Sequence, residues 1–130
     1  MPKKSSEKKS KILIAEDEEF LIDAYTVKMQ RENFDIGIAR NGEEALKLVK
    51  EFHPDLILLD LIMPIMDGFQ VLAKLQKDEN DKKIPVIIAS NLDQDASVKK
   101  GLALGAKDYY IKSNISINEL VEKCKKYLSS

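Results

Sequence analysis

Cysteine is almost missing from this chain of 130 residues. Cys124 stands alone, so no disulfide can close within it, and a reducing compartment suits it. Long apolar runs are missing too. After the polar, lysine-rich MPKKSSEKKSK, residues 12–15 are too short for a signal-peptide core, and no later run reaches the length of a membrane span. Neither sign of charge dominates: 21 Lys and Arg face 22 Asp and Glu, a net charge of −1, which leaves no broad positive field for nucleic acid or anionic lipid. These absences point to a cytoplasmic protein with a specific protein or small-molecule partner, and with neither membrane nor nucleic acid among its partners. A chain of this length buries roughly two thirds of its unfolded surface, so the core needs no disulfide or structural metal.

What is present is an alternation. Short apolar runs recur in KILIAED, FDIGIAR, DLILLD, KIPVIIAS and DYYIKS, each followed by ten or more residues with helical periodicity or helix-start signals. That order predicts a parallel sheet with crossover helices. Residues 12–15, 56–59 and 86–89 are continuously apolar, as strands covered on both faces should be, whereas Phe34, Ile36 and Ile38 alternate as an edge strand would. Asn41 with Glu44, and Ser116 with Glu119, have capping-box spacing, and Gly101 and Gly105 are expected to end the fourth helix. Ile117, Leu120, Val121, Cys124 and Leu128 share one helical stripe, which makes Cys124 a small core residue. The expected organisation is a disordered polar tail over residues 1–10 and one domain over residues 11–130.

In an open parallel sheet, ligands bind beyond the carboxyl ends of the strands. Glu16 and Asp17 follow the first run, Asp60 the third, Ser90 the fourth and Lys112 the fifth. If those strands are neighbours, three carboxylates, a hydroxyl and an ammonium share one crevice. The carboxylates repel one another unless a cation sits among them, and an all-oxygen site suits Mg²⁺. An aspartate can also attack phosphorus to give an aspartyl-phosphate, and Asp60, at the end of the most apolar run, is the candidate nucleophile. Lys112 would neutralise charge on the transferring group, and the Ser90 hydroxyl would donate to one of its oxygens.

The acidic pair Glu16-Asp17, the DLIMPIMDG stretch around Asp60, the strand-ending Ser90 and GAKDYYIK before Ser113 together resemble the receiver domains of two-component response regulators, over residues 11–128. The resemblance implies a flavodoxin-like, doubly wound α/β fold with a five-stranded parallel sheet in the order 2-1-3-4-5 and five flanking helices. It implies that Asp60 accepts a phosphoryl group from a sensor histidine kinase or histidine phosphotransfer protein. By the same resemblance Glu16, Asp17, Asp60 and the Ile62 carbonyl hold Mg²⁺, and Ser90 and Tyr109 form the switch. The face that changes would be the fourth helix, fifth strand and fifth helix, where a downstream protein docks. The expected function is therefore a stand-alone phosphorylation switch. It acts on no outside substrate, takes the phosphoryl group by self-catalysed transfer and loses it slowly. The alternative is a degenerate, unphosphorylated interaction module.

Two departures from the family pattern stand out. The family usually has proline in a cis bond after the lysine, where this chain has Ser113, and a small residue after the hydroxyl, where it has Asn91. A cis bond before a non-proline residue costs about 3 kcal/mol, so the Lys112–Ser113 joint is expected to be either strained or trans with a shifted loop. Ile62 and Leu92, both aliphatic, occupy places near the path by which water would attack the phosphoryl group, and predict a long-lived phosphorylated state. His53 reads as a surface residue at a helix end. Met63 and Met66, either side of Pro64, suit an adaptable contact surface or loop packing equally. A phosphatase of the aspartate type would need a second Asp where Ile62 stands, and a flavin phosphate loop would not carry the acidic run Glu16 to Glu19.

Overall fold

The computed structural model describes residues 9–128, so all but Lys9 and Ser10 of the expected tail lie outside the described residues. Strands β1 (Lys11–Ala15), β2 (Asp35–Ala39), β3 (Leu56–Leu59), β4 (Val86–Ser90) and β5 (Asp108–Ile111) alternate with helices α1 (Glu19–Arg31), α2 (Gly42–Phe52), α3 (Gly68–Gln76), α4 (Asp95–Ala103) and α5 (Ile117–Leu128). Every strand pair is parallel and the order is β2-β1-β3-β4-β5. This is the expected doubly wound sheet, and FDIGIAR takes the expected edge. The Ser10 carbonyl accepts the Asp35 amide at 2.9 Å, which carries the β1–β2 ladder one residue ahead of Lys11.

Successive strand side chains leave the sheet on opposite faces, and two cores result. Leu13, Ala15, Ile57, Leu59 and Ile88 join Ala45 and Val49 of α2 and Val71, Leu72 and Leu75 of α3. Ile12, Ile14, Leu56, Leu58, Ile87 and Ala89 face Tyr25 and Met29 of α1 and Leu120, Val121 and Cys124 of α5. A strand with helices on both sides has no polar face, hence the continuous apolar runs. Cys124 is fully buried, and burial pushes its thiol up to about 12, out of the reactive range.

Helix ends follow local chemistry. Ser116 and Glu119 form a complete capping box at α5, the Glu119 amide donating to Ser116 Oγ at 3.0 Å and the Ser116 amide to Glu119 Oε1 at 3.1 Å. At α2 only half the box forms. Asn41 Oδ1 accepts the Glu44 amide at 2.8 Å, while Glu44 reaches one residue further back to the Arg40 amide at 2.7 Å. The fourth helix ends at Ala103, between Gly101 and Gly105, where the two glycines placed its end. Gly101 lies in the last turn, its carbonyl accepting the Ala106 amide at 3.2 Å, and close packing also favours glycine there, since a Cβ would sit 2.7 Å from Ile88 Cδ1 and 3.2 Å from Tyr109 Cδ2. Gly105, at φ +110°, is the residue whose backbone turns the chain after α4.

The β3–α3 loop carries a constrained backbone near the sheet's carboxyl edge. The Met66 amide donates to the Pro64 carbonyl at 2.7 Å with Ile65 between them at φ +71°, the rare positive-φ form of a three-residue turn. The Gly42 amide at the start of α2 holds the Met66 carbonyl at 3.0 Å. Met63 is buried and Met66 packs on the core, so these methionines serve loop packing, whereas Ile65 stands 72% exposed.

Candidate functional site

The ladder itself delivers the polar residues to one place. Beyond the pairing of Ala15 with Leu59, the Asp60 amide donates to the Ala15 carbonyl at 2.9 Å and the Glu16 amide to the Ala39 carbonyl at 3.0 Å. Both backbones therefore stay in the sheet while their carboxylates leave its edge. Ser90 closes β4 opposite Ile111 of β5, so Lys112 emerges beside it. The sheet thus brings together Glu16, Asp17, Asp60, Ser90 and Lys112, all five residues that the strand ends predicted.

Lys112 is the hub. Its Nζ stands 2.7 Å from Glu16 Oε1, 3.0 Å from Asp60 Oδ2 and 3.4 Å from Glu18 Oε1, with only 9% of the side chain exposed. Burial alone would lower its pKa, but hydrogen bonds and charge from Glu16 and Asp60 outweigh that and hold it above the usual lysine value. Glu16, 2% exposed, is pushed the other way from a normal carboxylate: burial raises its pKa against the pull of Lys112, and the Asp60 charge adds to the rise. Its second oxygen accepts the Asp17 and Glu18 amides, each at 3.1 Å. Glu18 belongs to the acidic run, but its contact with Lys112 is visible only in the fold.

Asp60 is 5% exposed, and its Oδ1 accepts the Ile62 amide at 3.3 Å. It opens onto a cleft of about 250 Å³ lined by Asp17, Glu18, Asp60, Ile62, Asn91 and Lys112. One carboxylate oxygen from each of Glu16, Asp17 and Asp60 lies within 4.8 Å of the others. The donors are all oxygen, and the carboxylates outnumber the one ammonium among them, so the cluster is left with an excess of negative charge. A hard divalent cation fits that donor set, and Mg²⁺, which favours a few carboxylates and retained waters, fits its open side.

Ser90 is fully buried and its Oγ accepts the Leu92 amide at 3.3 Å. The carbonyl of the same Leu92 accepts the Tyr109 hydroxyl at 2.6 Å. One residue of the β4–α4 loop therefore joins Ser90 to the aromatic. Burial raises the Tyr109 phenol, and the charges of Asp60 and Asp93 add to that. The Leu92 side chain packs on the core and is not among the cleft-lining residues, so of the two aliphatic residues expected beside the water path only Ile62 faces the cleft. The Lys112–Ser113 bond is trans, which decides between the two expected geometries of that joint. His53 is exposed at the end of α2, as expected of a surface residue.

Comparison with known proteins agrees with this geometry. The model of the response regulator receiver domain matches residues 12–125. Response regulator GtcR of Aneurinibacillus migulanus is 39% identical over 101 residues, covering 78% of this chain and 40% of that protein. The chain thus spans about two fifths of the length of that curated relative. Among solved structures, the receiver domain of Francisella response regulator 1452 has a TM-score of 0.82 at 34% identity, covering 91% of this chain and 95% of that one. The phosphorylated cyanobacterial phytochrome response regulator RcpA has a TM-score of 0.81 at 28% identity, covering 94% and 96%. Strand order, acidic strand ends and a match over residues 12–125 converge, and the chain belongs to the response regulator receiver domains.

Proposed function

We propose that this chain is a phosphorylation-dependent switch whose acceptor is Asp60. The donor is a phosphohistidine on a sensor histidine kinase or a histidine phosphotransfer protein. The observation that carries this reading is the buried Lys112 ammonium held 3.0 Å from Asp60 and 2.7 Å from Glu16, beside a cluster of carboxylates. An ammonium so placed stands beside the Asp60 nucleophile and waits where phosphoryl charge would arrive.

In the transfer, an Asp60 oxygen attacks phosphorus in line with the P–N bond to the donor imidazole. The P–O bond forms as the P–N bond breaks, and the bonding pair leaves on the imidazole nitrogen, which takes up a proton from water. Glu16, Asp17, Asp60 and the Ile62 carbonyl would hold Mg²⁺. When bound, the ion supplies charge neutralisation and alignment for the phosphoryl oxygens. Lys112 pairs with one phosphoryl oxygen, and the Ser90 hydroxyl turns to donate to another.

The response passes through Leu92. When Ser90 moves toward a phosphoryl oxygen, it draws on the Leu92 amide, and the Leu92 carbonyl in turn holds the Tyr109 hydroxyl. The Tyr109 ring already lies against Gly101 of α4. The charge at Asp60 is thus read as a bias on the α4–β5–α5 face, where a downstream protein docks. Incubation with acetyl phosphate, with and without Mg²⁺, followed by intact-mass measurement tests the reading. One phosphoryl group should appear in the parent with Mg²⁺ and none in Asp60→Asn; equal labelling of both would sink it.

A further inference from the structure

The two departures from the family pattern meet in space. Asn91 Oδ1 accepts the Ser113 amide at 3.1 Å, a side-chain-to-backbone bond between residues 22 apart in sequence. Ser113 belongs to the short helical turn Lys112–Asn114, and the first amides of such a turn have no partner within it. The β4–β5 ladder ends at Ser90 opposite Ile111, after which one strand runs toward α4 and the other into this turn. Asn91 and Ser113 are thus each beyond the last backbone pair, and the asparagine amide extends the connection where the main chain cannot.

We propose that Asn91 is a positioning residue: by holding the Ser113 amide it fixes the turn that starts at Lys112, and so keeps the Lys112 ammonium between Glu16 and Asp60. Lysine is a long, rotamer-rich side chain, and its reach to a given point depends on where its backbone is held. The same bond joins the residue after Ser90 to the residue after Lys112. The two groups that would meet a phosphoryl group therefore share one support. Ser113 contributes through its backbone N–H, so its hydroxyl is dispensable.

The phosphoryl-transfer part of this inference rests on the proposed function; the placement of Lys112 does not. The test uses the full chain and measures, by mass spectrometry, how fast each lysine is acetylated by a soluble acetylating reagent. The fully buried Cys124 thiol serves as a gauge of global opening through its rate of reaction with a maleimide. Asn91→Ala removes the acceptor, Asn91→Asp keeps an acceptor oxygen, and Ser113→Ala keeps the donor. Loss of one exposed hydrogen bond should raise Lys112 acetylation about fivefold in Asn91→Ala. Cys124 reactivity should be unchanged there, and Asn91→Asp and Ser113→Ala should match the parent at Lys112. At saturating Mg²⁺, labelling of Asn91→Ala by acetyl phosphate should slow by a similar factor with Mg²⁺ affinity unaltered. Lys112 protection unchanged in Asn91→Ala overturns the proposal, as does a rise matched by Cys124. If the parent takes no phosphoryl group while the acetylation pattern is as expected, the functional reading fails and the positioning role stands.

Discussion

Replacing Lys112 by methionine keeps a side chain of similar length and removes its charge. Glu16 and Asp60, 2% and 5% exposed, then lose an ammonium that stands 2.7 and 3.0 Å from their oxygens. Breaking a buried ion pair by removing one partner costs about 3–5 kcal/mol, because the remaining charge is uncompensated. Glu16 keeps the Asp17 and Glu18 amides on its other oxygen, which places the expected loss at the lower end, about 3 kcal/mol at about pH 7. A domain of this size has about 5–15 kcal/mol in total, so the fold should survive.

The pH dependence carries a definite sign. Burial already holds the Glu16 pKa above 4.5, and without Lys112 it rises further. A carboxyl with a raised folded pKa contributes stability that is fully present below its unfolded value and is lost as pH rises through the folded value. The deficit of Lys112→Met should therefore be smallest near 4.5 and below, and should widen toward neutrality. Urea unfolding followed by circular dichroism at several pH values reads this directly. Mg²⁺ should stabilise the variant more than the parent, because the carboxylates no longer share an ammonium; ligand at about a hundred times its Kd adds about 2.7 kcal/mol. A variant as stable as the parent at neutral pH, or a deficit that does not shrink on acidification, refutes the idea that Lys112 compensates these buried charges.

Ile65→Gly should stabilise the chain by about 1 kcal/mol, since a β-branched residue at φ +71° is strained and its exposed side chain gives little in return; a lower urea midpoint would contradict this. Asp17→Ala should weaken Mg²⁺ binding, read by titration calorimetry, because it removes one of three clustered carboxylates; an unchanged titration would remove Asp17 from the site. Ile62→Asn should shorten the phosphorylated state about tenfold if it supplies one water-orienting contact of about 1.4 kcal/mol in the transition state. The loss of label is first order, so decay no faster than the parent's would dismiss Ile62 as a control on lifetime.

The sheet was legible because strands buried on both faces must be continuously apolar, and a carboxylate, hydroxyl or lysine at the end of such a run marks the sheet's edge. That rule located Glu16, Asp60, Ser90 and Lys112 without reference to any distance. Other features answer to no periodicity. Ile65 adopts a backbone that its β-branched side chain disfavours, and only the turn between Pro64 and Met66 explains it. Gly101 carries the same letter whether it ends a helix or lets Ile88 and Tyr109 approach one. The bond from Asn91 to Ser113 joins two positions that each looked like an isolated irregularity, because a side chain meeting a distant backbone amide leaves no pattern in the chain. The Leu92 side chain is aliphatic and carries no polar signal, yet its backbone makes the contacts, to Ser90 on one side and Tyr109 on the other.

The central claim is that Asp60 itself becomes the acyl phosphate. The most direct measurement is borohydride trapping: the chain is phosphorylated with acetyl phosphate and Mg²⁺, reduced with borohydride, digested and mapped by peptide mass spectrometry. Hydride cleaves an acyl phosphate and converts the aspartate to homoserine, so the site is written into the peptide. The account predicts homoserine at position 60 alone, dependent on Mg²⁺. Reduction at Asp17 or another carboxylate with position 60 unchanged, or no reduced residue in a chain that carries phosphoryl label, would contradict it.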